Sequence, residues 1–164
     1  MGSGKQRDLP AAGSRAPSFQ LKDLAGNERT LGELLAGGPV LLAFYKVSCP
    51  VCQFTLPFLE RLLQGAGGSV QFVAVSQDDV GASRAFNREY GISFPTLLDE
   101  SRTGYPVSNA FGISQVPTSF LIEKDGTVGW VLDGFSKSEF EALGRRAGAT
   151  PFQPGEYVPE WKAG

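Results

Sequence analysis

Two apolar runs frame this chain: Val40–Tyr45, without a polar interruption, and Val70–Val75, broken only by Gln71. Such runs suit strands covered on both faces, as in the middle of an α/β sheet. After the first run the period changes. Phe54, Phe58, Leu59 and Leu62 recur at helical spacing and predict a helix over 53–63 with this stripe in the core. Gly65-Ala66-Gly67-Gly68 stops it. Pro57 lies inside it and is expected to kink it, because it removes one N–H and crowds the preceding turn. Residues 82–90 predict a second helix, ended by Gly91.

The shorter signals fill the spaces between. Phe19-Gln20-Leu21 and Arg29-Thr30-Leu31 flank a Gly26-Asn27 turn and predict a short hairpin. A single helical turn is expected over 31–35. Residues 94–98 read as extended, with Pro95 at a strand edge, and 107–111 as helical. Residues 118–123 and 127–132, joined by Lys124-Asp125-Gly126, predict a β-hairpin. Ser136 or Ser138 caps a last helix that ends near Gly148. The order is two short strands, βαβα, β-hairpin, α.

Residues 1–16, rich in Gly, Ser, Ala and Pro, are expected to be a flexible lead-in, and 17–149 one domain. Residues 150–164 hold prolines at 151, 154 and 159 and no periodicity. They are expected to dock in part, anchored by Phe152, Tyr157 and Trp161, since aromatic residues are uncommon in disordered segments.

The 164 residues fit one domain that needs no covalent staple. A net charge of −2 with 20% charged residues offers no basic stripe for nucleic acid. No apolar run nears the ~20 residues of a membrane span. The first eight residues have no apolar core of a signal peptide. Either the protein is cytosolic, or a signal has been replaced by a short leader such as Met1-Gly2-Ser3.

The chemistry is concentrated in Cys49-Pro50-Val51-Cys52, which holds the chain's two cysteines. The pair sits where the first apolar strand passes into a helix. Free N–H groups and the helix dipole there favour a thiolate. A disulfide closing so short a loop adds little stability, which argues against a structural staple. Zinc needs about four ligands, and the chain has no histidine and no further cysteine. The same absence removes Cys–His and Ser–His catalysis. Cys49 is expected at the N-cap with its sulfur outward, Pro50 in the first turn and Cys52 one turn in and more buried. Cys49 then attacks a substrate disulfide, and Cys52 resolves the mixed disulfide. No cofactor is required.

These residues resemble a family. The stretch from Phe44 to Pro57 is similar to the active-site strand and helix of thioredoxins, and Val116-Pro117-Thr118 resembles their cis-proline loop. Phe94 to Asp99, Asn109 to Ile113, Phe120-Leu121-Ile122 and Asp125-Gly126 resemble the TlpA/ResA-like and peroxiredoxin-like branch, the AhpC/TSA-redoxin relatives. The similarity runs from about Ala16 to Ala147. It implies an α/β thioredoxin-like fold: a central mixed β-sheet flanked by helices, with an N-terminal β-hairpin extension. It implies a thiol-disulfide oxidoreductase of protein dithiols and disulfides, with roles in cell redox homeostasis and antioxidant activity. Pro50, Val51, Val116 and Pro117 become the substrate-binding residues, the Val116 backbone pairing with an extended substrate strand. The expected protein is a monomer in an extracytoplasmic setting, served by a thioredoxin-type electron donor. The Cys-Pro-x-Cys order resembles glutaredoxin and adds glutathione as a partner.

Departures from the family pattern concern the proton of Cys52. Ser48 stands where many relatives carry Trp. Ala43 replaces the buried Asp of thioredoxin, and Thr55 the Glu of TlpA/ResA-like proteins. Lys46 and Thr55 are left as candidate modulators of the thiols, with water or Glu60 as proton acceptor. Two alternatives stay open. In a peroxiredoxin reading Cys52 is peroxidatic, but Cys49 then fills the usual Thr/Ser position and Lys46 the Pro position, with Arg84 or Arg102 as activating residue. In the other, the chain is a non-catalytic thioredoxin-fold binding module.

Overall fold

The computed structural model describes residues 8–164. Strands β1 (Gln20–Asp23) and β2 (Glu28–Thr30) lead into α1 (Leu31–Leu35) and the central strand β3 (Val40–Tyr45). Helix α2 (Pro50–Gly65), β4 (Gln71–Ser76), α3 (Val80–Tyr90) and β5 (Thr96–Leu98) follow. Next come α4 (Pro106–Ala110), β6 (Thr118–Ile122), β7 (Val128–Asp133), β8 (Phe135–Ser136), α5 (Lys137–Ala147) and β9 (Trp161–Lys162).

A seven-stranded sheet has the order β2-β1-β5-β4-β3-β6-β7. β3 pairs parallel with β4 and antiparallel with β6, so the sheet is mixed. Every residue of β3 is buried, and the pleat explains why. Leu41, Ala43 and Tyr45 face Cys52, Leu56 and Leu59 of α2, Phe86 of α3 and Phe140 of α5. Val40, Leu42 and Phe44 face Leu31, Leu35, Val107 and Phe111 on the other side. Side chains alternate in a strand, so a strand between two apolar layers reads as an unbroken run.

Caps account for where the structure differs from the periodicity. α2 starts at Pro50, three residues before the expected start at 53, because Cys49 caps it and proline suits the first helical turn. α2 runs on through Pro57 to Gly65. α3 starts at Val80 because the Asp79 carboxylate accepts the Ala82 N–H at 2.8 Å. Ser136 is the cap of α5. The expected N-terminal hairpin extends the main sheet: β1 pairs antiparallel with β2 and with β5.

Residues 1–7 of the expected lead-in lie outside the described residues. The part from residue 13 runs along the start of β7, where Gly13 N–H donates to Val128 O and Val128 N–H to Ser14 O. Ala16 is buried there.

The tail packs against α2 and α5, through fewer of its aromatic residues than composition suggests. Phe152 meets Phe58 and Phe135 at ring-centroid distances of 5.1 and 6.2 Å. Arg61 of α2 forms a two-pronged ion pair with Glu156 at 2.6 and 2.9 Å, and also donates to Pro151 O. Val158 is buried, whereas Tyr157 and Trp161 are exposed at 89% and 66%. Trp161 lies outward because β9 alternates. Its neighbour Lys162 is the one turned in, with its ammonium 5.0 Å from the Phe54 ring.

Candidate active site

The thiols are delivered by the loop that follows β3. Val47 is held from both sides: its N–H donates to Asp78 Oδ2 at 2.8 Å and its carbonyl accepts from Gln53 Nε2 at 2.9 Å. This fixes the approach to Cys49, which has extended backbone angles and caps α2. The Cys49 sulfur accepts the Cys52 N–H at 3.3 Å and donates to Val116 O at 3.4 Å. One of the orphan donors of the helix start is therefore aimed at sulfur. Both cysteines are free thiols; Cys49 is half-buried and Cys52 is 0% exposed.

The other expected site residues gather here. Pro50 is exposed and Val51 half-buried in the first turn of α2. Val116–Pro117 is a cis peptide bond, with Pro117 buried at the foot of β6. Thr55 is fully buried one turn beyond Cys52, and its hydroxyl has no hydrogen-bond partner. Lys46 is half-buried, its ammonium 5.9 Å from the Tyr105 ring.

Glu60 is engaged elsewhere by its hydrogen bonds. Its carboxylate accepts from Ser93 N–H, Ser93 Oγ and Gln64 Nε2, on another flank of α2. Arg84 donates to Leu24 O and Arg102 pairs with Glu100, so neither faces Cys52 as an activating residue.

Burial above all, and then the Cys49 sulfur, push the Cys52 thiol far up from its ordinary range. A hydrogen bond from the Lys46 backbone works the other way, and the negative charge of Asp78 adds to the rise. A consequence for stability follows. Folded Cys52 keeps its proton at a pH where the unfolded thiol releases it. Stability from this group is intact below about pH 8.5 and declines as the pH rises, by up to about 1.4 kcal/mol per unit. Denaturant titrations of the reduced protein from pH 7 to 10 are expected to show this decline, and Cys52→Ala to remove it. Buried Tyr45, also pushed up by desolvation, joins with the same sign only above about pH 10.

Local reasoning missed Asp78, which holds the Val47 N–H, and Gln77, Tyr105 and Ser108, which line the opening beside Cys49. A signal was available. Gln77-Asp78-Asp79 follows β4, the parallel neighbour of β3, and the carboxyl ends of adjacent parallel strands are where α/β sheets place their sites.

The AhpC/TSA family matches residues 12–131. The chain belongs to the AhpC/TSA family. Within it, similarity runs to the thiol-disulfide oxidoreductase ResA of Geobacillus thermodenitrificans, 33% identical over 137 residues, 82% of this chain and 76% of that protein. The structure of DsbF from Mycobacterium tuberculosis, in mixed oxidized and reduced forms, superposes with a TM-score of 0.68 at 30% identity, covering 81% of this chain and 97% of that one. Peroxidoxin BcpB of the same organism superposes with a TM-score of 0.71 at 25% identity, covering 84% and 96%. This AhpC/TSA member is a thioredoxin-fold thiol-disulfide oxidoreductase, as the resemblance at Cys49–Cys52 implies. Among its described residues no helix is long and apolar enough to cross a membrane.

Proposed function

We propose that Cys49 is the attacking thiol and Cys52 the resolving thiol of an exchange with protein disulfides. The observation that carries this is the unequal exposure of two linked sulfurs: Cys49 within reach of a visitor, Cys52 sealed beneath it and bonded to it through its N–H. The Cys49 thiolate attacks one sulfur of the substrate disulfide. A Cys49–substrate disulfide forms, and the other substrate sulfur leaves as a thiolate that takes a proton. Cys52 loses its proton, attacks the Cys49 sulfur and releases the second substrate thiol. The substrate gains two electrons and the protein is left with a Cys49–Cys52 disulfide. A dithiol donor of thioredoxin type, or glutathione, returns it to the reduced state. Pro50 and Val51 form the rim, and the Val116 backbone beside buried Pro117 guides an extended substrate segment. Asp78 is the carboxylate best placed to influence the proton of Cys52. The protein acts as a monomer, in the extracytoplasmic setting that the TlpA/ResA-like resemblance favours.

The likeness to a peroxidoxin supports a second reading, peroxide reduction at Cys52. The full burial of that sulfur, with Cys49 and Lys46 at the positions of the usual hydroxyl and proline, weighs against it. One pair of assays decides. Reduction of a disulfide-bonded protein that depends on Cys49, with a midpoint potential between about −270 and −150 mV, is the expected result. Fast consumption of hydrogen peroxide, lost with Cys52 but not with Cys49, overturns the exchange reading. A potential near about −120 mV overturns the assigned direction.

A further inference from the structure

A cleft of about 460 Å³ opens beside Cys49, with Val116 in its wall. The rest of its lining is mostly polar: Gln77 from the loop after β4, Ser108 and Asn109 from α4, Gln115, and the pair Lys46 and Tyr105. Lys46 and Tyr105 also line a second cleft with Asp78, Asp79, Glu100 and Arg102, so they partition the two. Of the side chains lining the Cys49 cleft, Lys46 alone carries a formal charge at neutral pH. Among the described residues it makes no ion pair; its partner is the Tyr105 ring.

This wall is built rather than incidental. Gln77 Nε2 donates to Ser108 Oγ at 3.0 Å. Ser108 N–H donates at 2.6 Å to Asp99, which is fully buried and also takes the Val107 N–H. Tyr105 has a φ of 52°, the sole positive φ at a non-glycine residue among those described. That conformation is costly for a side-chain-bearing residue and is held by the surrounding fold. Its N–H reaches Glu100 O at 3.2 Å, and its carbonyl takes the Asn109 N–H at 2.9 Å.

We propose that this cleft is a subsite for a carboxylate close to the sulfur attacked by Cys49, with Lys46 as its charge partner and the amide and hydroxyl groups as its hydrogen-bonding surround. A carboxylate placed there meets the Lys46 ammonium and no acidic side chain, and it shares the cleft with Gly164, the last residue of the sequence, which packs against Val116 O. Lys46 is a half-buried residue whose ammonium lies 5.9 Å from the Tyr105 ring, so its attraction is screened less than that of a free surface lysine. The inference rests on the proposed role of Cys49 and adds the substrate's chemistry: an anionic disulfide. The carboxylate has two sources, a small peptide disulfide such as glutathione disulfide, or an acidic residue next to a cysteine in a polypeptide.

The test uses the full chain, reduced, with four disulfides as probes: glutathione disulfide, neutral bis(2-hydroxyethyl) disulfide, and two disulfide-linked peptides that differ by Glu or Gln beside the cysteine. Wild type is expected to favour an anionic probe over its neutral counterpart in kcat/KM by about tenfold, an advantage that shrinks with added salt. Lys46→Gln should erase that ratio and Lys46→Arg should retain it. An advantage confined to glutathione disulfide assigns the small peptide, and one confined to the Glu peptide assigns the polypeptide. Wild type without preference overturns the subsite. An equal fall for anionic and neutral probes in Lys46→Gln also overturns it, because Lys46 then acts on the thiols. No exchange with any probe removes the assigned role of Cys49, and the subsite with it.

Discussion

Cys49→Ser is expected to lower disulfide exchange by at least about 10³-fold, while Cys52→Ser still attacks and then stalls as a covalent complex with its substrate. The asymmetry comes from burial. Cys49 is partly open at the start of α2 and Cys52 is 0% exposed, so a substrate sulfur has access to the first and not to the second. Serine at 49 cannot form the mixed disulfide, and the one remaining cysteine, Cys52, is sealed from a substrate sulfur. Serine at 52 leaves that first bond intact and removes the sulfur that would break it. Mass spectrometry of Cys52→Ser under non-reducing conditions checks this directly, since the adduct adds the mass of the substrate. In wild type the resolving step is expected to accelerate by up to about tenfold per pH unit, because Cys52 is held protonated and its thiolate fraction grows in that proportion. Adducts formed equally by Cys49→Ser would place the attacking sulfur at Cys52.

The largest expected loss of stability is at Phe135. Its ring is fully buried and lies 4.9 Å from Phe54, 5.9 Å from Phe58 and 5.0 Å from Phe140. Through Phe152, at 6.2 Å, it also touches the tail. Phe135→Ala opens a cavity where α2, α5 and the tail meet, and is expected to cost about 3–5 kcal/mol. Equilibrium unfolding in denaturant measures it as a shift of midpoint. The tail should become more susceptible to protease in the same variant, since Phe152 loses a partner. A cost under about 1 kcal/mol would mean that neighbouring rings collapse into the space and that the cluster is not a fixed junction.

The legible parts of the chain were those whose environment is repeated along it. β3 could be read because both its faces meet apolar layers, and α2 because its buried stripe keeps the helical period. The thiol pair was legible because spacing and a strand-to-helix junction suffice to bring Cys49 and Cys52 together. Asp78 was not. It reaches the thiol loop through the parallel pairing of β3 with β4, a contact between segments about 30 residues apart that no local pattern encodes. Glu60 is held elsewhere for a related reason: its helical position was right for a nearby carboxylate, but Ser93 captures it on another flank. Tyr157 and Trp161 show the limit of composition, since aromatic content does not tell which way a short strand presents its alternate side chains.

The rims of the sheet have a consequence of their own, because an open strand edge is a template for pairing with another chain. On one rim, β2 is three residues long and carries Glu28 and Arg29. On the other, residues 13–16 already occupy the start of β7, and a register shift interrupts the β6–β7 ladder beside it. Short, charged, covered or bulged borders are poor templates for adventitious strand addition. Both borders of the sheet therefore leave little open ladder on which a second chain could add a strand.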